Sequence, residues 1–175
     1  MTHITALSTQ SDSAVEALLD AAFGPGRQKR TAYAIRDGML PVDSLSFAAL
    51  DGRGNMVGLL QSWPVALTDA AGKQHPLIMV GPVAVLPTLQ QGGIGKKLMH
   101  RLMDEARARQ CEPLMMIGDP EYYSRFFGFS AAGTAAWEVP GPVERHRLLA
   151  QSIDGCPLPG AGQLGPRAQG LRAAC

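Results

Sequence analysis

Residues 77–110 read as three consecutive pieces that leave few folds open: an apolar run, a glycine-rich turn and an amphipathic helix. Leu77-Ile78-Met79-Val80-Gly81-Pro82-Val83-Ala84-Val85-Leu86 is apolar enough to be a strand covered on both faces. After Gln90-Gln91-Gly92-Gly93-Ile94-Gly95, the residues Ile94, Leu98, Leu102 and Ala106, with Met99 and Met103, share one face of a helix expected over 93–110. Lys96, Lys97, Arg101, Asp104, Glu105 and Arg109 fall elsewhere on it. A strand followed by such a crossover helix pairs in parallel with the next strand. That partner is the short apolar run at 114–117.

The long strand carries an anomaly. Pro82 removes a ladder donor and Gly81 brings no side chain, so the pair predicts a bulge or a point where pairing splits. Around it, residues 3–8 look like a strand, and Ser11-Asp12-Ser13 are cap candidates for a helix with Val15, Leu18, Leu19, Ala22 and Phe23 at helical spacing. Gly24-Pro25-Gly26 ends it, and a second helical stretch near 29–35 carries Arg27, Lys29, Arg30 and Arg36. These basic residues suit either the border of a substrate cleft or a solvated face. Leu45, Phe47 and Ala49 alternate before a turn at 51–55, and 56–67 forms the second arm of a hairpin. A turn at 118–120 leads to a short helix over 121–126, and Phe129, Trp137, Val139 and the run 147–153 supply the remaining strands.

The expected fold class is therefore α/β: a mixed, mostly antiparallel sheet with a parallel pair of fourth and fifth strands splayed at a bulge, and helices on both faces. One domain over 1–155 is expected, followed by a Pro/Gly-rich tail over 156–175, mobile or loosely docked.

Composition narrows the partners. Sixteen Lys plus Arg against fifteen Asp plus Glu leave a net charge of +1 and no long basic run, which argues against nucleic acid. No stretch of about 18 apolar residues offers a membrane span, and the first residues lack a signal pattern, so a cytoplasmic protein is expected, with a homodimer open to it. Cys111, Cys156 and Cys175 form no CxxC pair and are expected reduced; the four histidines are scattered, so no metal site is expected.

A strand, a glycine-rich turn and a helix N-terminus together gather backbone N–H groups that bind phosphate. Two familiar phosphate loops fail here. A Walker loop needs Gly at 90 and Ser or Thr at 97, where Gln90 and Lys97 stand; a dinucleotide loop needs Gly at 98, where Leu98 stands.

The residues instead resemble the GNAT superfamily of acetyltransferases, whose coenzyme motif is Gln/Arg-x-x-Gly-x-Gly/Ala after a bulged central strand. Gln90, Gly93 and Gly95 match it in register, with Gly81-Pro82-Val83-Ala84-Val85-x-Pro87 upstream and Ile94-Gly95-x-x-Leu98 downstream. A second stretch, from Gly118-Asp119-Pro120-Glu121-Tyr122-Tyr123 to Ser124-Arg125-Phe126-Phe127-Gly128-Phe129, looks like the signature of the YhbS-like branch. It departs from that signature in having two residues, Phe126 and Phe127, between the arginine and Gly-Phe.

The resemblance implies an N-acetyltransferase that moves an acetyl or other acyl group from coenzyme A to a primary amine of a small molecule or protein, by direct attack in a ternary complex. A catalytically weak CoA-binding regulatory module of the same fold is the alternative. It implies acetyl-CoA as co-substrate and no metal. The coenzyme site falls on Val83, Ala84, Val85, Gln90, Gln91, Gly92, Gly93, Ile94, Gly95 and Lys96, with the pantetheine arm adding to the splayed strand. A backbone N–H of Val83 or Ala84 holds the oxyanion. Tyr123, in preference to Tyr122, serves the leaving thiolate, and Asp119, ahead of Glu121 and His75, takes the amine proton. The tyrosines also suit an aromatic cluster with their phenylalanine neighbours, and Asp119 before proline suits a cap.

Overall fold

In the computed structural model, which describes residues 1–171, the chain forms one mixed sheet with helices on both faces. The strands are β1 (His3–Ala6), β2 (Phe47–Leu50), β3 (Met56–Thr68), β4 (Gln74–Val85), β5 (Leu114–Ile117), β6 (Trp137–Glu138), β7 (Leu148–Gln151) and β8 (Gly162–Pro166). The helices are α1 (Asp12–Phe23), α2 (Thr31–Ile35), α3 (Ile94–Arg109) and α4 (Pro120–Phe127). The order across the sheet is β1-β2-β3-β4-β5-β7, with β8 pairing both β3 and β6.

Helix α1 begins and ends for a local reason. The Ser11 side chain accepts from the Ala14 N–H at 3.3 Å, and Gly24, at φ 78°, lets the chain leave α1. Helix α3 buries Ile94, Leu98, Met99, Leu102, Met103 and Ala106 against one face of the sheet, the stripe read from its spacing. Helix α1 packs Val15, Leu18 and Leu19 against Leu59 and Ala84 on the opposite face. Gly58 permits the close approach of α3, since a Cβ there would lie 2.9 Å from Ile94 Cγ2.

The central event is the parting of β4 from its neighbours. Leu60 faces Val83 and Ser62 faces Val80, so Gly81 and Pro82, joined by a cis peptide, stand together against Gln61 as a bulge. The indole Nε1 of Trp63 donates to the Gly81 carbonyl at 2.8 Å and fixes it. On the other side β4 and β5 run parallel but pair only at Ile78–Leu114 and Met79–Met115. Beyond that point the two strands leave a slot.

The expectation of a loosely docked tail does not hold for 162–167. Gln163 to Pro166 pair with Thr68 to Val65, Leu164 is buried, and Gly162 lies so close to the Thr68 carbonyl that no Cβ fits. Arg167 then locks the segment, with Nε donating to the Val65 carbonyl at 3.1 Å, Nη1 to Glu112 at 2.7 Å and Nη2 to the Leu77 carbonyl. This strand forms because the second half of β3 has a free edge, not because Gly-Gln-Leu-Gly-Pro favours one.

The expectation of reduced cysteines holds for Cys111, which is free, and fails for Cys156, which is disulfide-bonded; Cys175 lies outside the described residues. No helix among the described residues is long and apolar enough to cross a membrane.

Candidate active site

Two cavities meet at the slot. The smaller, about 380 Å³, lies between Val83 and Val85 of β4, the turn at Gln90, Gln91 and Gly93, the first turn of α3 at Gly95 and Lys96, and Tyr122 and Tyr123 of α4. The turn is tight because Gly93 sits at φ 72°, a conformation open to glycine, directly before Ile94. No side chain caps α3, so its first N–H groups and the positive end of its dipole face the cavity mouth. Gly95 leaves room there, with the Tyr122 hydroxyl and Val85 Cγ2 each 4.0 Å from where its Cβ would stand. Lys96 lies with its ammonium 3.6 Å from the Phe126 ring centroid, which aims it along the same wall, whereas Lys97 is exposed.

Backbone direction separates the two oxyanion candidates. The Leu86 N–H donates to the Val57 carbonyl at 3.0 Å, so the N–H two residues earlier, on Ala84, also points to β3. Val83 and Val85 therefore present their N–H groups to the slot. Ala84 is buried on the α1 face and does not line the cavity, which removes it as a donor and leaves Val83. Ile94 and Gly92 are likewise not part of the wall: Ile94 is buried in the core under α3, and Gly92 is exposed on the preceding turn.

The larger cavity, about 920 Å³, opens on the other side of the bulge. Its wall comes from the α1–α2 connection, α2, the bulge, the β5–α4 turn and residues 142–147. Val83 and Tyr123 line both cavities, which places them where the contents of one meet the contents of the other. Tyr122 lines only the smaller.

The tyrosines form the aromatic cluster expected of them, and both line the smaller cavity. Tyr123 packs with Tyr122, Phe127 and Phe129 at ring separations of 4.9, 6.3 and 6.4 Å, and its hydroxyl has no hydrogen-bond partner among the described residues. Burial, with the neighbouring Tyr122 and Asp119, pushes its pKa up to about 12. Burial raises Tyr122 too. Gly118, which was not singled out from the sequence as a site residue, makes the Tyr123 position available: a Cβ there would lie 2.8 Å from the Tyr123 ring.

Asp119 caps α4, its Oδ1 accepting from the Glu121 N–H at 3.0 Å, and it also lines the larger cavity. His75 sits elsewhere, paired with Asp69 at 2.8 Å beside the β3–β4 turn and lining neither cavity. Glu121 lines neither as well. Among the described residues no group of His, Cys, Asp or Glu is arranged to hold a metal ion.

The model of the acetyltransferase (GNAT) family matches residues 13–129, two thirds of the chain. The chain belongs to the GNAT family. This acetyltransferase is 26% identical over 146 residues to the uncharacterized N-acetyltransferase YhbS of Escherichia coli, covering 81% of this chain and 84% of YhbS. It is also 26% identical over 169 residues to the uncharacterized N-acetyltransferase YjhQ of the same organism, covering 93% and 89%. Among solved structures, YhbS in complex with CoA superposes with a TM-score of 0.69 at 20% identity, over 99% of this chain and 95% of that one. A GNAT acetyltransferase from Brucella melitensis in complex with acetyl-CoA gives 0.65 at 26% identity, over 96% and 97%. The mixed sheet with its splayed β4–β5 pair is thus the GNAT fold, as the sequence led one to expect.

Sequence reading did not single out the residues that folding brings to the larger cavity from elsewhere in the chain. Trp63, Arg147 and Glu144 reach the larger cavity or its bulge only after folding. None belongs to a local motif.

Proposed function

We propose that this enzyme transfers an acetyl group from acetyl-CoA to a primary amine by direct attack in a ternary complex. The observation that carries it is the junction of two cavities at Val83 and Tyr123, one shaped for a phosphate-bearing donor and one for an acceptor. The CoA and acetyl-CoA bound to the structural neighbours support the first assignment.

The pyrophosphate lies on the α3 N-terminus and the Gln90–Gly95 turn, with Lys96 adding charge. The pantetheine amides extend along Val83 and Val85 as an added strand. The amine nitrogen attacks the thioester carbonyl from the larger cavity, and the Val83 N–H takes the oxyanion. As the C–S bond breaks, the sulfur leaves as a thiolate and the nitrogen gives up a proton. Asp119, one of two carboxylates lining the acceptor side, takes it through the oxygen its cap does not use.

Tyr123 acts on the sulfur mainly as a hydrogen-bond donor. A free thiol titrates near 8.5, so full transfer from a phenol near 12 runs uphill by about 5 kcal/mol before the site's own effect on the sulfur. A neutral, dry hydroxyl still stabilises the thiolate as charge develops.

Titration calorimetry with acetyl-CoA tests donor binding; none at millimolar ligand defeats the proposal. Thiol release over a panel of amines then separates an enzyme from a CoA-binding module. Tyr123→Phe is expected to lower kcat about 10- to 100-fold with the coenzyme Kd unchanged within twofold. Equal kcat in the two proteins removes Tyr123 from the mechanism.

A further inference from the structure

The larger cavity contains two buried arginines in opposite electrostatic states. Arg27, 3% exposed, is neutralised: its Nε donates to Asp20 at 3.0 Å, Nη2 meets Glu16, and Nη1 donates to the Tyr33 hydroxyl at 2.6 Å. Arg36, 9% exposed, has no carboxylate partner among the described residues. Its guanidinium lies 3.6 Å from the Trp63 ring centroid and 4.1 Å from that of Tyr33, and its Nε is buried with no hydrogen-bond partner. The aromatic faces hold the planar head in place and Tyr33 is also its hydrogen-bond neighbour, but Nε is left without an acceptor.

A buried cation without a counter-charge is costly unless a ligand supplies one. Burial accordingly pushes the Arg36 guanidinium below its usual pKa. The rest of the cavity adds to the imbalance, since Lys29, Arg30 and Arg147 line it against only Asp119 and Glu144 as acids. The position also fits a role in acceptor binding. Trp63, on which Arg36 stacks, donates to the Gly81 carbonyl at the bulge, two residues before Val83. A group bound at Arg36 therefore has the reacting centre within the same cavity.

We propose that the acceptor is a small amine carrying an anionic group, carboxylate or phosphate, which binds Arg36 and directs the amine toward Val83 and Tyr123. This rests on the acetyl-transfer reading for the identity of the amine, and on the cavity alone for the anion. Arginine's fixed fork suits either oxyanion. The same positive lining disfavours a diamine, whose second ammonium would face Lys29, Arg30 and Arg36.

The test uses the full chain with acetyl-CoA and amines of one chain length ending in carboxylate, phosphate, carboxamide or a second amine. At least one anion is expected to exceed the carboxamide about tenfold or more in kcat/KM, with the diamine slowest, and the better of the two anions names the source. In Arg36→Gln the anion-over-amide ratio falls toward one, whereas Arg36→Lys keeps part of it. A carboxamide or diamine turned over as well as both anions, or a ratio unchanged in Arg36→Gln, overturns the proposal. A binding arm decides the point without turnover. The N-acetylated anionic amines, titrated into CoA-loaded wild-type protein, are expected to bind about tenfold or more tightly than the N-acetylated carboxamide. Equal or undetectable binding overturns the proposal even if transfer occurs. Absence of thiol release with every amine defeats the transfer reading while leaving this arm to decide the anion. Should Arg36→Gln fail to fold, the wild-type comparison still stands.

Discussion

The proposed donor side and the proposed acceptor side of this enzyme are built by different means. The donor cavity takes most of its wall from one stretch, 83–96, and uses backbone: a strand edge, a positive-φ glycine and an uncapped helix end. The acceptor cavity takes its wall from five segments between residues 23 and 147 and uses side chains, arginines and aromatics above all. Backbone geometry repeats wherever the same turn repeats, while a side-chain wall can be rebuilt one residue at a time. A constant donor and a variable acceptor are what such a division favours.

The largest expected effect attacks the backbone side. Gly95→Val places methyl groups between the α3 first turn and the Tyr122 hydroxyl, in the space left by the missing Cβ. Acetyl-CoA affinity should fall about 1000-fold, roughly 4 kcal/mol, with little change in thermal unfolding. Calorimetry showing a loss under tenfold would mean that the donor does not pass there.

Next in size is a stability effect at residues that line neither cavity. Arg167 and Glu112, with side chains 10% and 17% exposed, form an ion pair that ties β8 to the sheet. Arg167→Ala leaves Glu112 and two strand carbonyls without their donor, and should cost about 3 kcal/mol in denaturant unfolding. A loss below about 1 kcal/mol would show that β8 is held by Leu164 and its ladder alone.

That pair also marks the limit of what the sequence discloses. The β4–turn–α3 unit and the Tyr122-Tyr123 helix were legible because their signals are local: apolar period, glycine punctuation, a proline near the helix start. The C-terminal strand was not, because Gly-Gln-Leu-Gly-Pro carries one apolar residue and gains its state from the free edge of β3. Arg36 was visible as part of a basic stretch, but a solvated face and a cleft wall have the same sequence. Only its stacking on Trp63, 27 positions away in the chain, separates them. Ala84 fell on the wrong side for a similar reason. Strand alternation was readable, but which parity faces β3 depends on pairing.

At the boundary between the two sides, Asp119 has two separable roles. Asparagine is as good a helix cap as aspartate but cannot accept the amine proton. Asp119→Asn and Asp119→Ala should both lose about tenfold in kcat/KM, while only the alanine variant loses about 1 kcal/mol of stability. Full activity in Asp119→Asn would reduce the residue to its cap and move the base elsewhere in the acceptor wall.

The smallest effect concerns Tyr123, which belongs to both cavities. Its pKa of about 12 in the folded protein lies above the value near 10 of an unfolded tyrosine. The folded state therefore holds its proton more tightly, and the stability this contributes is intact below pH 10 and lost as pH rises toward 12. Near pH 11 wild type should have lost about 1 kcal/mol more than Tyr123→Phe, allowing for partial screening of the ring. Cys111, also raised to about 12 by burial, is lost equally from both proteins and cancels in the difference. Parallel curves from pH 9 to 12 would mean that the hydroxyl is solvated, and a solvated hydroxyl would weaken the case for Tyr123 as the dry donor to the departing sulfur.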